Sequence, residues 1–242
     1  MKKIGVIPCR YNSSRFPGKP LALISGKPMM WHVYQRALES GVLDEVYIAT
    51  DDERIVKASD KLKLNSIITS SQHKTGTDRV TEVANKVQAD YYVNIQGDEP
   101  FIEPNAIRLV TQAIVDCSDP LIQATNAYTL MQNTSDVIDT NTVKVIMDFN
   151  KRALAYSRQP IPYPKENIAT YYKQLGLYAF KRSGLQVFDE KVSADLEKTE
   201  GVEMYRLLEH GHAIQMVRTN DASISVDTPS DLSRAQKMFD KF

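Results

Sequence analysis

Apolar and polar positions along the first hundred residues alternate between two periods. Ile4–Pro8 is a short apolar run of strand type. Over Met29–Ser40 apolar residues fall at 30, 33, 34, 37 and 38, the spacing of one helical face, and Gly41 stops it. Glu45–Thr50 (EVYIAT) reads as a second strand, and Asp52-Glu53 as the acidic first turn of a helix running through Leu62. Ser66–Thr69 is a third short strand, 78–88 another helix, and Tyr91–Ile95 (YYVNI) a β-rich run ending at GDEP. Strands alternating with helices at this rhythm predict right-handed βαβ units and a largely parallel sheet.

The second half is less regular. Val143–Met147, Ala153–Tyr156 and Leu175–Phe180 read as strands, the last two separated by the Pro-rich loop SRQPIPYP. A helix is predicted over 200–210, a strand over Ala213–Val217, and VDTPSDLSRAQKMF as a turn leading into a terminal helix with Pro229 in its first turn. No repeat, low-complexity tract or clear linker divides the chain. The expectation is one α/β domain over 1–242, with an insertion between about 125 and 185.

Composition narrows the function. Lys and Arg total 30, as do Asp and Glu, so the 242-residue chain carries no net charge. That argues against nucleic acid or a membrane surface as partner, since both normally call for a basic excess. Any cationic site must be local. Cys9 and Cys117 are the only cysteines, which argues against a disulfide framework and for the reducing cytoplasm. The N-terminal apolar run is too short for a signal peptide, and none approaches a membrane span.

One loop concentrates charge. Directly after the first strand, RYNSSRFPGKPL (10–21) carries Arg10, Arg15 and Lys19 around Ser13, Ser14, Pro17 and Gly18. Ligands of open α/β sheets sit at the carboxyl ends of parallel strands, so three cations there suggest an oxyanion cluster such as a triphosphate. The loop has neither the dinucleotide-binding nor the P-loop glycine pattern. Asp98 and Glu99, ending the 91–95 run, stand where a hard cation beside a triphosphate would sit, or form a plain strand-ending turn. Gln96-Gly97 before them allows close backbone approach. Asp227 is either a further acidic ligand or a helix cap. HKTGTDR (73–79) gathers His73, Thr75, Gly76, Thr77 and Arg79 before a helix. Tyr178 is either a core aromatic or a ligand, and Glu200, Glu203 and Arg206 fit an i, i+3 charge row on a solvated helix face.

Together these segments resemble the cytidylyltransferases that activate sugar acids, most of all the CMP-Kdo synthetases (3-deoxy-manno-octulosonate cytidylyltransferases) of the capsule type. Beyond RYNSSRFPGKPL, the resemblance runs through ATDDERI (49–55), HKTGTDR, YYVNIQGDEP (91–100), NTVKVIMD (141–148), AYSRQPIPYP (155–164), LGLYAF (175–180) and VDTPSDL (226–232). It implies a Rossmann-like three-layer nucleotidyltransferase fold, with a mixed, mainly parallel sheet and a second-half insertion for dimerisation and sugar binding. It implies Mg²⁺-dependent transfer of CMP from CTP to a 2-keto-3-deoxy sugar acid, with pyrophosphate released, by a cytoplasmic homodimer serving surface polysaccharide synthesis. Carried onto this chain, catalysis falls to Lys19, Arg15, Arg10 and Asp98. Nucleotide binding falls to Arg10, Ser14, Arg15, Lys19, His73, Thr75, Gly76, Thr77 and Gln96. Arg158, Gln174, Tyr178 and Glu203 form the sugar side, and Asp98 and Asp227 hold the metal. Two positions depart from the family pattern: Gln174 stands where a His is typical, and Met204 follows Glu203 where a Gln is typical. Both lie on the acid side, so a modified or sialic-acid-like sugar is the alternative, with a non-catalytic binding module more distant.

Overall fold

The computed structural model describes residues 1–166, 169–190, 192–193, 195–220 and 225–239. Eleven strands occur among them: β1 (Lys3–Cys9), β2 (Leu23–Ile24), β3 (Lys27–Pro28), β4 (Glu45–Thr50), β5 (Ser66–Ile68), β6 (Tyr91–Ile95), β7 (Ile122–Leu130), β8 (Lys144–Met147), β9 (Ala153–Ser157), β10 (Tyr172–Lys181) and β11 (Ala213–Arg218). The helices are α1 (Met29–Glu39), α2 (Glu53–Lys61), α3 (Gly76–Lys86), α4 (Pro104–Val115), α5 (Thr134–Ile138), α6 (Arg182–Glu190), α7 (Asp195–Glu200), α8 (Tyr205–Glu209) and α9 (Pro229–Phe239).

The main sheet runs β11-β7-β10-β6-β1-β4-β5. Pairing is parallel for β6-β1-β4-β5 and for β11-β7, and antiparallel where β10 meets β6 and β7. The mixed, mainly parallel sheet expected from the resemblance is present. One face is covered by α1, α2 and α4, whose Met30, Val33, Tyr34, Ala37, Ile55, Ile107, Val110 and Ile114 pack on Ile7, Ile48 and Val93. The other is covered by α3, α6 and α8 through Val80, Val83, Leu185, Phe188 and Leu207. Each such fully buried aliphatic side chain contributes about 1.5–3 kcal/mol. Of the predicted α1 face, Leu38 alone turns outward, at 49% exposure.

The second half departs from the pattern reading. β10, and β7 apart from its first three residues, fall within the expected 125–185 insertion yet are inner strands of the main sheet; among the described residues only 131–166 and 169–171, carrying α5, β8 and β9, leave that path. β7 escaped detection because it is buried on both faces and each face carries a polar side chain, which erases the apolar alternation. Thr125 Oγ1 donates to Val110 O (2.8 Å), and Asn126 Nδ2 to Leu175 O and Leu177 O (2.8 and 3.0 Å). No element was predicted for α4 or α6 either. Of the helix expected over 200–210 only α8 is present; α7 ends at Glu200, closed by Gly201, whose φ of +63° is left-handed.

Candidate active site

The carboxyl ends of β1 and β6 face a cleft with two lobes. The first, about 440 Å³, is bordered by Arg10, Asn12, Ser13, Ser14, Arg15, Lys19 and Asp227. The second, about 600 Å³, is bordered by Lys74, Thr75, Glu99, Val143, Arg158, Gln174, Tyr178 and Glu203. Arg10, Gly76, Gln96 and Asp98 border both, and so mark the junction.

Gly18 makes the first lobe. At φ +72° it turns the chain where its N–H donates to Tyr11 O (2.8 Å), and an added Cβ would stand 3.2 Å from the Tyr11 ring. The turn aims Lys19 inward, its side chain only 13% exposed, with Nζ 2.6 Å from Asp98 Oδ2 and 3.0 Å from Asp227 Oδ1. Arg15 Nη2 reaches the same Asp227 oxygen at 3.1 Å. Burial pulls the Lys19 ammonium down, but Asp98 and then Asp227 outweigh it and hold it above its ordinary range. Asp227 arrives because the Val226 N–H donates to Asp98 O (2.8 Å). It is not the helix cap. Thr228 Oγ1 accepts the Asp231 N–H, and Asp231 Oδ2 accepts the Thr228 N–H, a reciprocal capping box that leaves Asp227 facing the cleft. Gly97 lets the 96–98 turn lie against β1, since a Cβ there would meet Pro8 O at 2.7 Å and Cys9 Sγ at 3.0 Å.

Two carboxylates from distant segments thus converge on one cationic point. Among the described residues no group of three or more His, Cys, Asp or Glu is arranged to hold a metal. The donor set therefore suits an ion that takes one or two carboxylates and completes its shell with phosphate oxygens and water, as Mg²⁺ does, rather than an all-protein cage.

Arg10 Nη2 donates to Lys74 O (2.6 Å), tying the cationic loop to the 73–79 segment. There Thr75 caps α3 in a capping box with Asp78, and Gly76 lies 3.5 Å, from an ideal Cβ, to Gln96 Nε2. Two expected nucleotide residues are placed elsewhere. Thr77 is fully buried, its hydroxyl accepting from Asn94 Nδ2 (3.1 Å) and its N–H donating to Glu203 Oε2 (2.9 Å). His73 borders neither lobe. It pairs with Glu82 at 2.5 Å beside a separate depression next to α6. The Thr77 hydroxyl is taken up by Asn94 and the His73 ring by Glu82, which is why both side chains turn away.

On the acid side, β10 carries a register shift between Gln174 and Tyr178, where Gly176 sits. A Cβ on Gly176 would stand 2.6 Å from Gln96 Cγ, so the glycine seats Gln96 against the strand. A glycine inside LGLYAF was the sequence signal for this bulge. Gln174 Nε2 bonds Leu175 O (2.8 Å) and Tyr178 Oη (2.5 Å). Glu203 caps the Thr77 N–H, and burial raises its carboxyl above the ordinary range against the bonds from Thr77 and Thr75. The solvated charge row is absent: Arg206 is 5% exposed and bridges Glu197 (2.5 Å) and Asp78 (2.9 Å). Arg158 is held by carbonyls, Nε to Glu200 O (2.7 Å) and Nη1 to Thr140 O (2.9 Å), leaving Nη2, 3.5 Å from Gly201 O, its loosest nitrogen. Met204 is fully buried in the core and borders neither lobe, so of the two departures only Gln174 faces the cleft. The sequence pattern does not single out Val143, Lys74 or the supporting role of Glu200, although Lys74 lies within HKTGTDR and Glu200 within the charge row.

Residues 4–216 match the family model described as cytidylyltransferase. The 3-deoxy-manno-octulosonate cytidylyltransferase of Geobacter metallireducens is 41% identical, over all of this chain and 99% of the relative. That of Escherichia coli is 40% identical, over 98% of this chain and 96% of its own. A solved structure of CMP:2-keto-3-deoxy-manno-octonic acid synthetase complexed with CTP superposes with a TM-score of 0.94 at 39% identity, covering all of this chain and 99% of that one. The chain belongs to the 3-deoxy-manno-octulosonate cytidylyltransferase family and is a nucleotidyltransferase by that membership.

Proposed function

We propose that this cleft transfers CMP from CTP to the anomeric C2 hydroxyl of Kdo, releasing pyrophosphate. The observation that carries the reading is the pair of lobes joined at Arg10, Gly76, Gln96 and Asp98, one cationic and one lined by mixed polar groups. The triphosphate takes the first lobe and the sugar acid the second, which brings the α-phosphorus to the junction. There the C2 oxygen attacks in line, the bond to the bridging oxygen of the β-phosphate breaks, and the hydroxyl proton is lost to solvent.

Lys19 has three N–H donors, of which the two carboxylates take two, so one remains for a phosphate oxygen. Arg15, more exposed, can exchange Asp227 for the departing diphosphate. Both neutralise charge that grows as pyrophosphate leaves. Asp98 and Asp227 are the residues that would hold Mg²⁺. When bound, the ion supplies Lewis-acid polarisation of the phosphate and a lowered hydroxyl pKa. Gln96 is placed to meet groups in either lobe, and Gln174, Tyr178, Arg158 and Glu203 surround the acid.

Gln174 favours one variation, an acid differing from Kdo where a typical His would touch it. Pyrophosphate release with CTP and Mg²⁺, measured across Kdo, 8-amino-Kdo and a sialic acid, tests both readings. Fast release with Kdo supports the main one, faster release with another acid reassigns the sugar, and none with any acid favours a binding module. We further propose a homodimer formed through the 131–171 segment, where Ile138, Phe149 and Leu154 stand exposed. Sedimentation of a Phe149→Asp variant as a monomer is the expected result.

A further inference from the structure

Lys144 opens β8 and is fully buried. Its Nζ donates to three main-chain carbonyls: Asp139 O at 2.9 Å, Thr142 O at 2.7 Å and Arg158 O at 2.6 Å. No carboxylate pairs with it among the described residues. Burial lowers its pKa, and the nearby Asp139 only partly offsets that. Desolvating an ammonium is costly, and an apolar side chain of similar length would fill the space without that cost. What the ammonium adds is convergence: one point holds the segment entering β8 and the segment leaving β9.

Both segments border the acid lobe. Arg158, whose carbonyl Lys144 holds, gives its N–H to Glu200 Oε2 (2.9 Å) and its Nη1 to Thr140 O, which lies between the other two carbonyls. Ser157 Oγ donates to Glu200 Oε1 (3.0 Å), fixing the same strand end. On the other side Val143, next to Lys144, accepts the Gln174 N–H at 2.9 Å. Val143, Arg158, Gln174 and Gly201 all border the second lobe, and none of them borders the first.

We propose that Lys144 is a positioning residue for the acid substrate: its buried ammonium gathers three carbonyls and so sets the wall formed by Val143, Arg158 and Gln174. It touches no substrate and acts only on the acid side. The proposal rests on the reading of the second lobe as the acid pocket.

The test compares wild type with Lys144→Met, which keeps side-chain length and removes the donors. KM is measured for Kdo and for CTP, with CTP binding followed separately by calorimetry. The expected result is a rise in KM for Kdo of roughly tenfold, as loss of charged hydrogen bonds to a pocket wall would give, with CTP affinity unchanged. A merely structural role would lower the melting temperature and move both substrates together, or neither; either outcome overturns the proposal. Should Lys144→Met fail to fold, Glu200→Gln loosens the same wall from its other side, and the same one-sided shift is expected. Wild type is assayed alongside with the full set of acids. If it prefers another acid, that acid replaces Kdo in the comparison. If it turns over no acid, the earlier reading fails and this one falls with it.

Discussion

The two lobes use the same residue types in opposite ways. In the lobe proposed for the triphosphate, Arg15 and Lys19 come from a loop and rest on carboxylates of the cleft, in ionic contacts a phosphate can enter or replace. Around the second lobe, proposed for the acid, Arg158 and the buried Lys144 behind it bond main-chain carbonyls, while Arg206, which borders neither lobe, bridges the buried Glu197 and the half-buried Asp78. A triphosphate is recognised mainly by charge, so ionic donors held on a loop suffice. A sugar acid is recognised by shape and hydroxyl pattern, which demands a rigid wall, and buried cations bonded to backbone provide one.

The sharpest break in that comparison is Lys19→Ala. Turnover should fall by about 10²–10³-fold, the usual consequence of removing one preorganised donor from a charge-developing transition state. The melting temperature should hardly change, because Asp98 and Asp227 remain partly solvated. Rates under saturating CTP, with thermal unfolding alongside, check both halves. Two glycines come next. Gly97→Ala puts a Cβ 2.7 Å from a backbone oxygen, which cannot yield, and should cost about 1–3 kcal/mol in denaturant unfolding. Gly176→Ala meets side-chain atoms alone, Gln96 Cγ at 2.6 Å and Glu99 Oε1 at 3.4 Å, so stability should hold while KM shifts as Gln96 leaves the junction.

Smaller effects concern titration. Glu203 has a carboxyl raised by burial, so its charged form is penalised in the folded state at pH above its own pKa and not below the unfolded value. Glu203→Gln keeps an acceptor for the Thr77 N–H. The variant should gain stability over wild type as pH rises from the ordinary carboxylate range to that raised pKa, hold the gain above it, and lose the advantage at acid pH. Unfolding free energies measured across pH decide this; an advantage that does not grow with pH contradicts it. His73→Ala should leave turnover unchanged. Burial pushes Glu82 up, but bonds from Lys86, the Ser70 N–H and His73 prevail and hold it at about 2. Its contribution is present above the ordinary 4.5 and lost as pH falls toward 2. Removing His73 trims that contribution by about 0.5 kcal/mol or less, visible only in acid unfolding curves.

How far the sequence could be read follows the same division. The β1–β4–β5–β6 half was legible because its strands are apolar runs and its loops follow at once, so RYNSSRFPGKPL and QGDEP announced their chemistry locally. β7 was not, since IQATNAYTL buries Thr125 and Asn126 against backbone partners that periodicity cannot anticipate. Glu203 and Arg206 looked like a surface pair because their spacing is that of a helix. Gly201 breaks that helix and turns both inward. Met204 looked like a changed sugar contact, and its burial removes it from that role.

Taken alone, the chain determined the chemistry on offer: cations after the first strand, carboxylates after β6 and before α9, a nucleotidyltransferase pattern in order. Those signals are local, set by residues that act within a few positions of one another. Only the tertiary structure decided which of them meet. A single Val226 N–H to Asp98 O bond brings Asp227 onto Lys19. A bond from Asn94 takes the Thr77 hydroxyl out of the cleft, and a buried ammonium joins two segments into one wall. Such contacts depend on what packs opposite each residue, and that opposing partner lies far away along the chain.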